Sequence, residues 1–430
     1  MQSSIPKWRV LVFPGGTEIG LEIGRSLEAC KEVDLFSAGV SSASHATYAF
    51  REHFEMPKVN ETGWLERLTE IVVNNAITHI FPAHDDAIIA LVENAHKIPA
   101  KIVTSPEKTC RIARSKMDTL ATLRNFIPTP EFHSTPEEVE EYPVFVKPNK
   151  GQGSRGATII PNRISLDVAL ERDSSLIVLE YLPGREFTVD CFSDREKGVL
   201  YARGRTRARI TSGISSNSTF VENSRFMDLA KRIQDVLSFH GGWFFQVKEN
   251  TVGELCLLEV AARIPGTSSL SRVCGVNLPL LSLYEAERIP VTIQPLDLPV
   301  TVDRTLTPIF KHGLIYDTLY VDLDDTLIIH NRVNAQLVTI IYQCLNRGVR
   351  VILLTRHGKD VKATLDKFRL TVLFDEIVHL TNGESKANYI KSSKAVFIDD
   401  SFSEVSAVGR IMGVTAIHTS AADLLLEDYI

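Results

Sequence analysis

Two stretches of the sequence concentrate side chains that could handle phosphate. The first is Tyr142–Gly156, in which an apolar β-branched run ends at Lys147 and a loop with three glycines, one serine and one arginine follows. Glycine lets backbone N–H groups approach an anion, because it lacks a Cβ and tolerates positive φ. A phosphate site and a plain glycine-rich hairpin turn are both open on this stretch alone. The loop residues that would contact phosphate are Gly151, Gly153, Ser154, Arg155 and Gly156.

The second stretch is Leu319–Thr326, where an apolar run ends in Asp322 and, two residues on, Asp324. Two carboxylates this close repel each other unless a cation compensates them, so the pattern indicates a Mg²⁺ site. Coincidence of acidic strand ends is the alternative explanation. Further polar residues at predicted strand or helix ends are Thr355, Lys386, Asp399 and Asp400.

Strands and helices must position these residues, and the N-terminal third alternates between the two. Apolar runs at 9–13, 33–37, 79–82 and 101–103 are separated by helical patterns near 21–29, 64–74 and 85–96. This rhythm predicts a parallel sheet of the α/β class. Its first turn, Pro14–Gly20, lacks the dinucleotide fingerprint, so NAD is not expected. At the corner 81–86, the candidates His84, Asp85 and Asp86 are expected to cap the next helix, with contact to an acid substrate as the alternative.

The Lys147 loop resembles the nucleotide-covering loop of the ATP-grasp superfamily, and three later segments match that family in order. These are Val178–Asp190, similar to the hinge beside adenine, and Phe245–Lys248 and Leu257–Arg263, similar to the two metal-binding strands. The resemblance implies ATP and Mg²⁺ as cofactors. Its implied contacts are Lys116 and Lys147 with the phosphates, Glu180 and Leu182 at the hinge, Glu186 with ribose, Gln246 and Glu259 with metal, and Arg263 near the transferred phosphoryl group.

The metal-binding strands are most similar to the carbamoyl-phosphate-synthetase-like branch, which also uses glutamine at the first position. That branch has Glu-x-Asn-x-Arg on the second strand, whereas here Ala261 stands where the asparagine would be. One metal ion could therefore be missing or bound differently. Glu249 is considered as a substitute ligand.

The aspartate motif resembles that of the haloacid-dehalogenase (HAD) phosphohydrolase superfamily, and the other motifs follow in the family's order over 315–430. The resemblance implies Asp322 as nucleophile and Asp324 as general acid and then base. It implies Thr355 and Lys386 as holders of the phosphoryl oxygens, and a Mg²⁺ site from Asp322, the Asp324 carbonyl, Asp399 and Asp400. The short spacings between these motifs leave no room for a cap domain.

Four arginines recur at every second residue within Leu200–Arg209, which predicts one positively charged strand face. We expect some of them to grip triphosphate or a substrate carboxylate, with a solvated edge strand as the alternative.

Bulk properties indicate an ordinary soluble globular protein. A net charge of −6 argues against a nucleic-acid or membrane-surface partner, and no apolar run is long enough for a membrane span. Six scattered cysteines indicate reduced, mostly buried thiols and a cytoplasmic location. The predicted domains are a parallel-sheet pre-ATP-grasp domain (1–105), an α+β ATP-grasp domain (106–300) and a Rossmann-like HAD domain (315–430), with a proline-rich boundary at 290–314.

The sequence therefore predicts a bifunctional enzyme. One half would join a small-molecule carboxylate to an amine or similar nucleophile through an acyl phosphate, and the other would hydrolyse a phosphomonoester. The alternative is a phosphatase whose ATP-grasp half acts as a nucleotide-sensing cap or regulatory module. The identities of the substrates are not encoded in a readable way, and a homodimer is among the oligomeric states open to the chain.

Overall fold

The computed structural model describes residues 8–40, 44–151, 156–211, 214–310 and 312–427. The chain forms two compact units, residues 1–307 (unit 1) and 308–429 (unit 2), which are described separately. The division lies inside the proline-rich segment 290–314, whereas the boundary predicted at residue 105 falls within unit 1. None of the helices in the described ranges has the length and apolarity that crossing a lipid bilayer requires.

Unit 1 begins with alternating strands and helices that form a parallel sheet in the order β3-β2-β1-β4-β5, as the sequence predicts. Strand β1 is central and its apolar residues are buried between the flanking helices, which is why the run reads as continuously hydrophobic. In chain order the elements are β1 (Trp8–Phe13), α1 (Glu18–Leu27), β2 (Val33–Gly39), α2 (Ala46–Ala49), β3 (His53–Glu55), α3 (Trp64–Asn74), β4 (His79–Pro82), α4 (Asp85–Glu93) and β5 (Lys101–Ile102).

Two short helices then lead into a four-stranded antiparallel sheet in the order β6-β9-β7-β8. The side chain of Ser115 caps the second helix by accepting from the N–H of Asp118, so Lys116 opens this helix as predicted. The elements are α5 (Glu107–Arg114), α6 (Lys116–Leu123), β6 (Phe132–His133), β7 (Val144–Pro148), β8 (Thr158–Ile160), α7 (Arg163–Arg172) and β9 (Leu176–Glu180).

The rest of unit 1 is a seven-stranded sheet in the order β12-β13-β11-β10-β14-β15, with β16 paired to β13. Buried aromatic side chains pack against this sheet. Trp243 stacks on Phe239 with ring centroids 4.2 Å apart and donates its indole N–H to Ser193 Oγ. The elements are β10 (Glu186–Asp194), β11 (Gly198–Thr206), β12 (Arg209–Thr211), β13 (Ile214–Val221), α8 (Arg225–Val236), β14 (Gly241–Glu249), β15 (Leu255–Ala261), α9 (Ser269–Val273), α10 (Leu278–Ala286) and β16 (Thr301–Asp303).

Unit 2 is a second parallel sheet, in the order β21-β20-β17-β22-β23. Residues 312–427 are all described, and within them only a short hairpin and one helix separate β17 from β20, so no domain is inserted there. The elements are β17 (Thr318–Val321), β18 (Ile328–Ile329), β19 (Arg332–Val333), α11 (Ala335–Asn346), β20 (Arg350–Thr355), α12 (Val361–Phe368), β21 (Glu376–His379), β22 (Ala395–Asp399), α13 (Phe402–Met412) and β23 (Thr415–His418).

Helix α8 packs so closely on β11 that it requires a glycine there. A Cβ added at Gly204 would lie 2.1 Å from a ring carbon of Phe226, which is buried. We therefore expect Gly204→Ala to lower the free energy of unfolding by about 1–3 kcal/mol through overpacking, measured by urea unfolding. Gly266→Ala is the matched control, because its nearest atom would be 3.8 Å away, on Ile19. Equal stabilities for the two variants would contradict this packing account.

Candidate active sites

A cleft in unit 1 collects five of the predicted site residues. The structure brings them together from α6, from the loop after β7 and from the hairpin of β14 and β15; they are Lys116, Gly151, Gln246, Glu259 and Arg263. The helices that flank the first parallel sheet also contribute lining residues, including Glu18 of α1 and Asp85 of α4. The cleft thus lies where the carboxyl ends of β1 and β4 face the large sheet, a position where open α/β sheets place ligands.

Lys147 lies at the end of β7, at the base of the glycine loop. Its side chain is buried, and its ammonium donates to the carbonyl of Leu258, the neighbour of Glu259, at 3.1 Å. Burial lowers the pKa of Lys147 to about 8, although the negative charge of Glu259 opposes that shift. The ammonium is therefore mostly protonated at neutral pH but loses its proton at about pH 8, and an anion placed beside it would stabilise its charged form.

The first residues of α6 form hydrogen bonds to the segment that begins the glycine loop. Lys116 Nζ donates to the carbonyl of Gly151 at 3.2 Å, and the N–H of Met117 donates to Asn149 Oδ1 at 2.9 Å. These contacts place Lys116 beside the loop predicted to hold phosphate. The predicted contacts Gly153, Ser154 and Arg155 lie outside the described residues, and Gly156, at φ +74°, follows them.

The predicted hinge residues lie near the cleft without lining it. Leu182 is buried, and the carboxylate of Glu180 accepts from the N–H of Glu131 at 3.2 Å. Glu186, the predicted ribose ligand, forms an ion pair with Arg207 at 2.8 Å. Nucleotide binding through Glu186 would therefore compete with an internal partner.

The β14–β15 hairpin pairs Gln246 directly with Glu259, as the sequence predicts. Cross-strand neighbours have Cβ atoms about 5 Å apart, so the amide and carboxylate oxygens can share a cation. Ala261 contributes no ligand atom. Glu249 does not replace it, because it pairs in register with Leu255 and is held by Arg185 at 2.9 Å.

The corner 81–86 caps α4 as expected, but through its histidine and not through an aspartate. His84 is the N-cap residue, and Asp85 instead forms an ion pair with Arg263 at 2.5 Å. Burial alone would raise the pKa of Asp85, but Arg263 and then Arg114 outweigh burial and hold the pKa below its usual value. Asp86 pairs with Arg114 at 2.7 Å. The two aspartates do not cap the helix because their carboxylates have arginine partners from later segments of the chain.

The four alternating arginines do not form one free cationic face. Strand β11 ends at Thr206, so only Arg203 and Arg205 lie on it. Each of the four has an acidic partner, and Arg205 is buried against Asp190 at 3.1 Å. The other pairs are Arg203 with Glu222 and Asp297, Arg207 with Glu186, and Arg209 with Asp303.

In unit 2, adjacent parallel strands bring the predicted acids together. Asp322 follows β17 and Asp399 ends β22, and carboxylate oxygens of Asp322, Asp399 and Asp400 lie within 4.8 Å of one another. Lys386 Nζ lies between two of them, 2.7 Å from Asp322 and 2.6 Å from Asp399. Burial raises the pKa of Asp322 to about 6, with Lys386 opposing the rise and Asp399 adding to it. Hard oxygen donors this close suit Mg²⁺.

Thr355 ends β20, the other neighbour of β17. Its hydroxyl is buried and has no hydrogen-bond partner among the described residues, which is unusual for a buried donor. An anion above Asp322 would satisfy it. Asp324 is about half exposed, and its carboxylate contacts His357, a residue that the sequence motifs missed. The sequence feature that could have identified His357 is its position two residues after Thr355.

Charge compensation by Lys386 yields a prediction for stability. Lys386→Met leaves two buried carboxylates without a cation, so we expect it to cost about 3–5 kcal/mol of unfolding free energy near neutral pH in a chelating buffer. Asp322→Asn is the matched control and should cost less, because Lys386 keeps Asp399 and one like charge disappears.

The Lys386→Met deficit should shrink as the pH falls through about 6. The folded-state pKa of Asp322 lies above its ordinary value although Lys386 lowers it, so loss of Lys386 raises this pKa further. Protonation of Asp322 at lower pH therefore stabilises the variant more than the parent protein. Urea unfolding of the parent protein and of both variants at two pH values measures the deficit. A deficit that stays constant or grows at lower pH would contradict the assigned charges.

Known proteins are similar to parts of this chain. Residues 172–304 match the family model described as "ATP-grasp in the biosynthetic pathway with Ter operon". D-alanine–D-alanine ligase of Petrotoga mobilis is 31% identical over 104 residues, 23% of this chain and 35% of that protein. The D-alanine–D-alanine ligase of a Marinomonas species is 39% identical over 80 residues, 16% of this chain and 25% of that protein. The chain thus spans about a third or less of these relatives' length.

Solved structures share the fold at low identity. Biotin carboxylase of Campylobacter jejuni superposes with a TM-score of 0.57 at 14% identity, covering 68% of this chain and 73% of that chain. Carboxyaminoimidazole ribonucleotide synthase of Aspergillus clavatus, complexed with ATP, gives 0.55 at 18% identity, covering 68% and 79%. The family match ends at residue 304, so the HAD assignment of unit 2 stays a prediction. The family model thus covers residues 172–304, which lie within unit 1, and the solved structures show a shared fold.

Proposed function

We propose that this chain is a bifunctional enzyme, with an ATP- and Mg²⁺-dependent carboxylate ligase in unit 1 and a Mg²⁺-dependent phosphatase in unit 2. The ligase proposal is carried by one observation, the cleft that unites Lys116, Gly151, Gln246, Glu259 and Arg263. The partial similarity to D-alanine–D-alanine ligases supports a small carboxylate and an amine as substrates. Six free cysteines, five of them buried, support a reducing, cytoplasmic setting.

The ligase reaction has two steps. A carboxylate oxygen of the acid attacks the γ-phosphorus of ATP, the bond to the β-phosphate oxygen breaks, and ADP leaves. The amine then attacks the acyl phosphate carbon, loses a proton, and phosphate departs with the oxygen it received. Lys116 and Lys147 would neutralise the phosphate oxygens, and Arg263 would stabilise charge on the transferred group.

Gln246 and Glu259 would hold Mg²⁺ in this cleft, because they present paired oxygen donors on facing strands. The ion would neutralise charge on the phosphates. Arg263 is already bound to Asp85, so an anionic substrate must offer Arg263 a better partner than that carboxylate or be bound together with both. We infer that Asp85 keeps Arg263 extended into the cleft before the substrate arrives.

In unit 2, Asp322 would attack the phosphorus of a phosphomonoester and form an aspartyl phosphate, which water then cleaves. Asp324 would protonate the leaving oxygen and then take a proton from that water. Lys386 would bind the phosphoryl oxygens together with the Thr355 hydroxyl, which has no hydrogen-bond partner in the part of the chain that the structure describes. Asp322, the Asp324 carbonyl, Asp399 and Asp400 would hold Mg²⁺, which would neutralise the phosphoryl charge.

A second candidate is a phosphatase with a nucleotide-binding regulatory module. Ala261 favours it, since this residue faces Phe244 across the hairpin and offers no oxygen where the related branch has an asparagine. Weak or absent ligase chemistry with intact nucleotide binding would be expected in that case.

The two candidates differ in ADP formation. We expect the Asp322→Asn variant with Mg²⁺, ATP and pooled amino and hydroxy acids to release ADP only when a particular acid is present. The substitution removes the phosphatase nucleophile, so the phosphate signal comes from unit 1 alone. Absence of ADP with every acid, while the parent protein still cleaves phosphomonoesters, would favour the regulatory module.

Lys147 tests the phosphate site directly. Lys147→Met should raise the KM for ATP by about 10–100-fold, because one charge-assisted hydrogen bond contributes about 1.5–3 kcal/mol. The parent's KM should also rise as the pH passes about 8, where Lys147 loses its proton. Lys197→Met is the control, since Lys197 lies in the exposed turn after β10. A KM that is the same in both variants would remove Lys147 from the site.

A further inference from the structure

His357 bridges the half-exposed Asp324 to helix α12. Its Nδ1 lies 2.8 Å and 3.0 Å from the two carboxylate oxygens of Asp324, and its Nε2 lies 2.8 Å from Thr364 Oγ1. The ring is nearly buried, with 9% of the side chain exposed, whereas 53% of the Asp324 side chain is exposed. Both ring nitrogens are engaged, so the plane of the imidazole is fixed.

The fold also fixes the backbone of His357. It lies two residues beyond the end of β20, and its carbonyl lies 2.7 Å from His379 Nε2, at the end of the adjacent strand β21. The side chain of Asp360 caps α12 by accepting from the N–H of Ala363, which sets the helix turn that carries Thr364. Three neighbouring elements therefore hold one imidazole against one carboxylate.

Asp324 has little else to orient it. It precedes Asp325, which has a left-handed φ of 53°, at the turn into the short hairpin. Within the described residues, the contacts of its carboxylate are those with His357. A carboxylate that is half in water gains little stability from an ion pair. A contribution to the stability of the fold therefore gives little reason for an ordered, nearly buried histidine beside the Asp324 carboxylate.

We propose that His357 is a positioning residue for Asp324, holding its carboxyl group in the orientation that serves proton transfer. This proposal rests on the proposed phosphatase function of unit 2. In the first step, the bond from phosphorus to the leaving oxygen breaks, Asp322 bonds to phosphorus, and the Asp324 carboxyl gives its proton to the leaving oxygen. In the second, the Asp324 carboxylate takes a proton from the attacking water, and Asp322 is released.

Positioning of a general acid matters most when the leaving group needs a proton. An alkoxide is a poor leaving group and depends on the acid, whereas a nitrophenolate leaves without one. The test therefore compares an alkyl phosphomonoester with p-nitrophenyl phosphate, using kcat/KM, which covers only the steps up to departure of the leaving group.

For His357→Ala we expect kcat/KM on the alkyl ester to fall by about 10–100-fold, part of the 10²–10⁴-fold that general acid catalysis supplies. On p-nitrophenyl phosphate the loss should stay under about threefold. His357→Asn keeps an N–H donor near the Nδ1 position and should recover most of the loss. Equal losses on both substrates, or no rescue by asparagine, would overturn the proposal.

A double-mutant cycle separates action through Asp324 from direct action. In an Asp324→Asn background, adding His357→Ala should cost nothing further on p-nitrophenyl phosphate or the alkyl ester. Additive losses would mean that His357 acts on the substrate or the fold, and would also overturn the proposal. Should His357→Ala fail to fold, Thr364→Val, which removes the Nε2 partner, must show the same leaving-group preference.

Failure of the underlying function looks different. If the parent protein with Mg²⁺ hydrolyses neither ester, the phosphatase proposal itself is wrong, and the role of His357 falls with it. If the parent is active and Asp322→Asn is inactive while His357→Ala matches the parent on both esters, only the positioning role is excluded.

Discussion

Both sites depend on one constraint. The fold brings charged side chains together at the carboxyl ends of strands, and each of these charges must be compensated. A buried ionised group without a partner is costly, so each acid or base here needs an opposite charge or a hydrogen bond. In unit 2, one ammonium, that of Lys386, contacts Asp322 and Asp399 within 2.7 Å. In unit 1, Arg263 and Asp85 satisfy each other. Ligand binding at either site must then proceed by exchange of partners.

The cations of unit 1 differ in the internal partners that an incoming anion would have to replace. Arg205 and Arg207 have carboxylate partners within about 3 Å, and guanidinium groups keep their charge in such settings. Lys147 bonds a backbone carbonyl instead, and burial lowers its pKa to about 8. A phosphate group would therefore find Lys147 as the buried cation least committed to an internal acid. The same reasoning links Thr355 to an anion in unit 2, because its buried hydroxyl has no hydrogen-bond partner within the described ranges.

Local patterns predicted much of this arrangement. The pairing of Gln246 with Glu259 followed from two apolar runs and the turn between them, because hairpin register is a local property. The clustering of Asp322 with Asp399 was implied by the resemblance to the HAD motifs, and the structure places the two at the ends of adjacent parallel strands. The absence of an inserted domain between β17 and β20 followed from chain length alone.

Contacts between distant segments were the features that sequence reasoning missed. Asp85 was expected to cap a helix, yet it binds Arg263, 178 residues further along the chain. The alternating arginines were assigned to one strand, but β11 ends at Thr206 and their partners come from several elements. His357 escaped notice because its role depends on Thr364 and Asp324 meeting in space. Periodicity carries no information about such pairs.

The central claim is that unit 1 activates a carboxylate by phosphorylating it, and the fate of the carboxylate oxygens tests this most directly. The Asp322→Asn variant would be given ATP, Mg²⁺, an amine and the active acid with both carboxylate oxygens labelled with ¹⁸O. An acyl phosphate passes one of those oxygens to phosphate, so each phosphate released should carry one ¹⁸O atom. Phosphate without label, formed only when the acid is present, would contradict the account.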